Sequence, residues 1–324
     1  MKRIAIVYGG YSPEVVISRK SAQVVFKHID KTEYEPIMVC IERNSWVAEV
    51  GSDKIEIDKN DFSYSIDGQK QTFDCAFIAI HGTPGEDGKL EAYFDMIGMR
   101  YTTANPLALE LTFNKYFCNA FLKQHGIPCA KSILLYNDSE YIDSKIIEEL
   151  GLPCFVKPND SGSSFGVTKV KRIEELNTAI QKAFKESNQV IIESFLNGTE
   201  VSCGILKLNG KITVLPATEI VSEGEYFDFA AKYEGKSQEI TPARIPKEEM
   251  EAVQEYTKKA FELLNLTGMA RIDFMICAGN PFVIEVNTVP GLSEESILPQ
   301  QCKAIGMSLS ELFNGLVENA FTQT

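Results

Sequence analysis

The chain has 324 residues, 44% hydrophobic and 24% charged, which is ordinary globular usage and long enough for two or three domains around a large core. Its net charge of −13 argues against a nucleic-acid surface, so any anionic ligand needs a local basic pocket. No apolar run approaches the roughly 20 residues of a membrane span, and the eight cysteines show no C-x-x-C spacing and lie mostly in apolar runs such as FDCAFIAI, as in a reducing compartment. A soluble, cytoplasmic protein is expected. RIAIVYGG opens the chain as a buried strand whose apolar run is too short for a signal-peptide core. SRKSAQVVFKHI has helical spacing, YEPIMVCI is the next strand, and FDCAFIAIHG is another strand with His81 at its carboxyl end. KLEAYFDMIGM reads as a helix, so residues 1–103 form a βαβ-like region with Gly9, Gly10 and His81 at strand ends, where parallel sheets bind ligands.

From Pro106 a single helix is expected to run through PLALELTFNKYFCNAFLKQHG and stop at Gly126. The strands KSILLY and LPCFVKP follow, then a Gly/Ser-rich stretch and the helix RIEELNTAIQKAFKE. QVIIESFL opens a third region with further strands, a polar loop around 221–240, a helix near 247–264, a hairpin at 271–288 and a terminal helix. The alternation of strand and helix gives an α/β class, with regions 1–103, 104–190 and 191–324.

The hairpin RIDFMICAGNPFVIEVNT carries polar side chains in strands built for a core. Alternation places Arg271 with Asp273 and Glu285 with Asn287 on shared faces, and a three-residue loop at Ala278–Asn280 would set Asp273 opposite Glu285. Facing carboxylates repel unless a cation joins them, and Asp, Glu and Asn oxygens suit Mg²⁺. A solvent-facing strand pair with surface charges fits the same spacing. The stretch FVKPNDSGSSFGV follows a strand and places Lys157 before glycines that let backbone N–H groups approach an anion; a plain loop fits equally. It matches neither Walker A nor G-x-G-x-x-G. Taken together, the loop and the hairpin suggest a phosphate grip beside a metal site, and hence a nucleoside triphosphate.

GGYSPEVVIS (9–18), HGTPGEDG (81–88), VKPNDSGSSFGV (156–167), IIESFLNGTEV (191–201), FDFAAKY (227–233) and RIDFM…FVIEVNTVPGLSEES (271–296) together resemble the D-alanine–D-alanine ligases of the ATP-grasp superfamily, essentially end to end. The resemblance implies an ATP-grasp fold, α+β in its ATP-binding part, behind an N-terminal Rossmann-like βαβ domain. It implies that ATP phosphorylates one D-alanine and that the amine of a second attacks the acyl phosphate, for peptidoglycan synthesis. Mg²⁺ or Mn²⁺, two ions per site, is implied, as is a homodimer.

Residue by residue, the resemblance implies that Asp273, Glu285 and Asn287 hold the metals, with Glu285 bridging. Lys115 and Lys157 contact the phosphates, Glu193 and Phe195 the adenine, and Glu200 the ribose. Arg271 and the N–H of Gly291 stabilise the tetrahedral oxyanion; an Arg271–Asp273 structural ion pair is the plainer alternative. Glu14 receives the first D-alanine's ammonium, although an acid at a helix start needs no such role. Ser163 and Tyr233 complete a hydrogen-bonded set with Glu14 that deprotonates the second ammonium, with Lys232 lowering the tyrosine pKa. Ser296 and Lys232 receive the second carboxylate, and His81 and Glu86 flank the pocket. The FDFAAKY loop would act as a lid excluding water. Ile17, Ala230 and Glu295 depart from the family pattern, and Glu295 stands beside the second-substrate residue Ser296. Relatives that join D-alanine to D-lactate or D-serine are the nearest rival, and Tyr233 argues for an amine nucleophile. A nucleotide-binding protein without catalysis would have lost Asp273, Glu285, Asn287 or Arg271, and all four are present.

Overall fold

The computed structural model describes residues 1–160, 162, 165–222 and 237–322. The first sheet contains β1 (Lys2–Gly9), β2 (Tyr34–Ile41), β3 (Trp46–Val50), β4 (Asp53–Glu56), β7 (Cys75–Ile78) and β8 (Arg100–Tyr101), in the order β4-β3-β2-β1-β7-β8. β5 (Tyr64–Ile66) and β6 (Gln69–Gln71) form a separate hairpin. β1 pairs in parallel with β2 and with β7, as the βαβ pattern predicts, and β3 and β4 extend the sheet antiparallel. β1 is apolar without alternation because both of its faces are covered: Ile4 and Ile6 pack with Val25 of α1 (Val15–His28), while Ala5 and Val7 pack with Phe94 of α2 (Lys89–Ile97).

The stretch expected to form one helix from Pro106 to Gly126 is two helices, α3 (Pro106–Phe113) and α4 (Lys115–Gln124). Asn114 is the C-cap of the first and the N-cap of the second, and its side chain accepts from the Phe117 N–H at 3.1 Å. The apolar spacing continues across the break, so only the capping chemistry of Asn114 marks it. The second sheet runs β11-β10-β12-β9, with β9 (Ser132–Tyr136), β10 (Cys154–Pro158), β11 (Thr168–Val170) and β12 (Gln189–Ser194), all antiparallel. QVIIESFL was expected to open the third region, yet β12 lies between β10 and β9. Its side chains Val190 and Ile192 close a core with α5 (Asp143–Leu150) and α6 (Ile173–Ala183).

The third sheet runs β16-β15-β13-β17-β18, with β14 (Lys211–Val214) also on β13. Its strands are β13 (Thr199–Leu208), β15 (Thr218–Ser222), β16 (Ser237–Ile240), β17 (Gly268–Cys277) and β18 (Asn280–Asn287). Both ends of the stretch expected as a polar loop are thus strand. The hairpin turn has two residues rather than the expected three: Ala278 and Gly279 have φ of 47° and 82°, and Cys277 pairs with Asn280. Carried on regularly, that turn would set Ile284 opposite Asp273. A bulge between Asp273 and Phe274 shifts the register by one, and Asp273 faces Glu285 after all.

Helix α7 (Lys247–Leu263) packs Val253, Ala260 and Phe261 against Ile272 and Phe274 of this sheet. Short α8 (Ile297–Ala304) precedes the terminal α9 (Leu309–Thr322), which reaches back to the first sheet: Phe313 meets Phe77 edge-on at 5.8 Å. All eight cysteines are free and only Cys277 is less than buried, which bears out their reading as small apolar residues.

Candidate active site

A cavity of about 320 Å³ lies where the carboxyl end of the first sheet, the start of α1, and the β17–β18 hairpin with its following turn converge. Glu14, His81, Glu86, Lys115, Arg271, Glu285, Asn287, Gly291 and Ser296 all line it, although they are scattered over nearly 300 positions of sequence.

Glu14 is the N-cap residue of α1, but its carboxylate makes no capping bond and is turned to the cavity. Two glycines from separate motifs make room for it: a Cβ on Gly82 or Gly162 would lie 2.8 or 2.7 Å from Glu14 Oε2. His81 is satisfied on both ring nitrogens. Nδ1 lies 2.8 Å from the Val289 carbonyl, which can only accept, and burial pushes the ring's pKa down. The neutral ring therefore accepts the Ser21 hydroxyl at Nε2, 3.0 Å away, and Ser21 Oγ in turn accepts from the Leu292 N–H at 3.2 Å. This histidine ties β7, α1 and the 289–292 turn together at the cavity wall. Glu86 accepts from the N–H groups of Gly82 and Val289 at 2.7 and 3.3 Å. Burial, with Glu14 and Glu285 nearby, pushes its carboxyl up to about 8.

At the hairpin, Asp273 is the hub. Its Oδ1 accepts from Arg271 Nε at 3.0 Å and Ser202 Oγ at 2.5 Å; its Oδ2 accepts from Arg271 Nη2 at 2.9 Å and Asn287 Nδ2 at 3.0 Å. The Arg271–Asp273 ion pair weighed as an alternative thus exists, and it stands beside Glu285 and Asn287 rather than replacing them. Among the described residues no three His, Cys, Asp or Glu side chains form a cluster able to enclose a metal. Two carboxylates and a carboxamide are hard oxygen donors too few for a closed cage. They fit Mg²⁺, which takes few protein ligands and fills its shell with phosphate oxygens and water.

Lys157, Glu193, Phe195 and Glu200 stand on β10, on or just after β12, and on β13, beyond the lining of the cavity that the described residues define. Lys157 Nζ and Glu193 Oε2 are 2.5 Å apart, and Asn119 Nδ2 donates to Glu193 Oε1 at 3.0 Å. The half-buried Phe195 ring lies 6.0 Å from Phe155, with Lys169 Nζ 4.2 Å from its centre. Ser296 is the N-cap residue of α8, where unpaired N–H groups favour an anion, and a Cβ on Gly291 would lie 2.8 Å from its hydroxyl. Ser163, Lys232, Tyr233 and the departure Ala230 lie outside the described residues.

Several lining residues escaped the sequence reading. Glu239 on β16 faces the cavity, accepts from Gln300 Nε2 at 3.3 Å, and is pushed up in pKa by burial. Lys20 and Ser21 line it from α1. Period-two alternation in SQEI would have set Glu239 on a strand face, but nothing local says what that face meets. Among described residues the lining sets Glu14, Glu239, Glu285 and Glu295 against Lys20, Lys115 and Arg271, while Glu86, with its carboxyl pushed up to about 8, is largely protonated at neutral pH, so acid and base there nearly balance.

Two family models match the chain: D-ala D-ala ligase N-terminus over residues 3–104 and D-ala D-ala ligase C-terminus over residues 121–318. A D-alanine–D-alanine ligase of Flavobacterium johnsoniae is 50% identical over 319 residues, 98% of this chain and 99% of that protein. Among solved structures, a D-Ala:D-Ser ligase from Enterococcus faecalis superposes with a TM-score of 0.89 at 30% identity, covering 98% of this chain and 99% of that one. The D-alanine–D-alanine ligase of Bacillus anthracis complexed with ATP gives 0.80 at 26% identity, with 99% and 98% covered. End-to-end coverage at this identity, over a cavity that unites the motif residues, means that the chain belongs to the D-alanine–D-alanine ligase family.

Proposed function

We infer that this protein is an ATP-dependent, Mg²⁺-requiring ligase that joins two molecules of D-alanine for peptidoglycan precursors, and we propose the residue roles that follow. The observation that carries the reading is the single cavity uniting Glu14, Lys115, Arg271, Glu285, Asn287, Gly291 and Ser296.

Phosphorylating a carboxylate brings two anions together. When bound at Asp273, Glu285 and Asn287, Mg²⁺ supplies the charge that offsets this repulsion. Lys115, at the first turn of α4, faces the same space and adds positive charge; Lys157, at the end of β10 and outside that lining, is assigned to the phosphates on the family resemblance alone. Glu14 holds the ammonium of the first D-alanine and so aims its carboxylate at the phosphates. Arg271 and the Gly291 N–H are set to stabilise the oxyanion when the second amine attacks the acyl phosphate. Ser296 and the N-terminus of α8 receive the second carboxylate. Ser163, Tyr233 and Lys232 are assigned to proton removal and second-substrate binding on the family resemblance alone. Glu193, Phe195 and Glu200 hold adenine and ribose on the same basis. His81 and Glu86 shape the pocket wall rather than react.

The three-part division belongs to the same proposal, with the second boundary moved past Ser194 because β12 belongs to the second sheet. No helix among the described residues is long and apolar enough to cross a membrane; a cytoplasmic homodimer completes the reading. Product analysis tests it. ATP, Mg²⁺ and D-alanine, with D-serine and D-lactate in competing arms, should yield ADP and chiefly D-alanyl-D-alanine. ADP release that ignores D-alanine would overturn the assignment, and a mixed product dominating would move the second substrate to D-serine or D-lactate.

A further inference from the structure

The donors around Asp273 are not equivalent. A carboxylate offers about four lone-pair directions, and here Ser202, Asn287 and two nitrogens of Arg271 fill them. A divalent cation reaching Asp273 must displace one of these. The guanidinium is the group to leave, since it carries the same sign of charge as the ion and the proposed acyl transfer needs it at the oxyanion. Asn287 is itself a proposed ligand. Ser202 is the remaining donor, and no reading of the sequence gave it a task.

Its placement is rigid. Ser202 is 1% exposed on β13, and its Cα is opposite that of Asp273, which in turn is opposite Glu285. Thr218 faces Ser202 on the other side, so one row crosses four strands from Thr218 to Glu285. Gln301 of α8, fully buried, donates its Nε2 to the Ser202 carbonyl at 2.8 Å and lies 3.0 Å from Thr218 Oγ1. Gly204 is required beside it, because a Cβ there would lie 2.4 Å from Gln301 Oε1. The helix that begins at Ser296 thereby clamps the strand that carries Ser202.

Resting on the metal assignment above, we propose that Ser202 is a positioning residue that holds Asp273 in its coordinating orientation for Mg²⁺, with Gln301 fixing Ser202 from behind. Hydrogen-bond donors that orient ligating carboxylates are typically worth about 10–100-fold in metal affinity.

The test compares Ser202→Ala, Ser202→Thr and Glu285→Gln. Mn²⁺ binding in the presence of a non-hydrolysable ATP analogue is read by electron paramagnetic resonance, and the Mg²⁺ dependence of turnover is measured alongside. Ser202→Ala should weaken Mn²⁺ binding by about 10-fold or more and raise the half-saturating Mg²⁺ to match. Much of the lost turnover should return at high Mg²⁺, and Ser202→Thr should restore both readouts. If alanine costs the fold, Ser202→Cys keeps the size, weakens the donor, and carries the same comparison. Unaltered Mn²⁺ affinity in the Ser202 variants, while Glu285→Gln loses it, overturns the positioning role and leaves the metal site standing. Unaltered affinity in all of them overturns both.

Discussion

Glu91 offers a prediction whose sign is set by the fold. It sits on α2 with no exposed surface; Oε1 accepts from Thr103 Oγ1 at 2.9 Å, and Oε2 has no partner. Burial pushes its carboxyl from the usual 4.5 up to about 8, with Asp87 and Glu86 adding to the effect and Thr103 opposing it. Between those values the folded chain holds one proton more than the unfolded chain. Stability therefore falls as pH rises through this window, by about 1.4 kcal/mol per pH unit, or about 4 kcal/mol by pH 7.5. Glu91→Gln removes this contribution, leaving that of the likewise raised Glu86 common to both proteins. The amide can still accept from Thr103, but it places two buried N–H donors where the acid had one O–H, at about 1 kcal/mol. The variant should be slightly less stable than the parent at pH 5 and more stable by about 3 kcal/mol at pH 8, with the curves crossing between. Urea unfolding of both proteins in steps from pH 5 to 8.5, followed by circular dichroism, reads this directly. A constant offset at every pH would show that Glu91 does not titrate in the folded protein, and the argument would fail.

Glu285→Gln should lower turnover by about 100-fold or more in a protein that still folds, and near-normal turnover would refute the bridging-metal assignment. Glu193→Ala should destabilise the ATP-free protein by about 3–5 kcal/mol, since it strands the Lys157 cation, 9% exposed, without its partner. The double variant Lys157→Met, Glu193→Leu should recover most of that in thermal unfolding, and additive losses would argue against the pair. In Gly198→Ala the new Cβ would stand 1.9 Å from the Ile276 carbonyl oxygen, so a loss of about 3 kcal/mol is expected and a melting temperature matching the parent's would contradict the packing. Asn114→Ala should cost about 1 kcal/mol by uncapping α4; an unchanged melting temperature would show the break between the helices to be held by something else.

What could be read in advance and what could not divide along one physical line. Strands such as Lys2–Gly9 and the paired motifs at 81–88 and 271–296 announce themselves because periodicity, glycine placement and strand-end polarity are local properties of the chain. The break at Asn114 was missed because a capping side chain can interrupt a helix without disturbing its apolar spacing. Gln189–Ser194 reads as the start of the third region but pairs with β10 and β9 of the second sheet, because an apolar strand does not record which strands it will pair with. The hairpin is the instructive case: the facing of Asp273 and Glu285 was expected from a three-residue loop, but a two-residue turn and a bulge produce it.

Residue types and their spacing suggested a phosphate grip beside a metal site, since carboxylates, lysines and glycine loops carry their charge and conformational freedom wherever they fall; the ligation of D-alanine followed only from the family resemblance of the motifs. Contacts between distant segments were settled only by the folded chain. Among these are Ser202 on Asp273, Gln301 behind it, Glu239 in the cavity wall and Phe313 of the last helix on Phe77 of the first sheet. Such pairings depend on register and packing across many strands, and no single stretch of sequence holds that information.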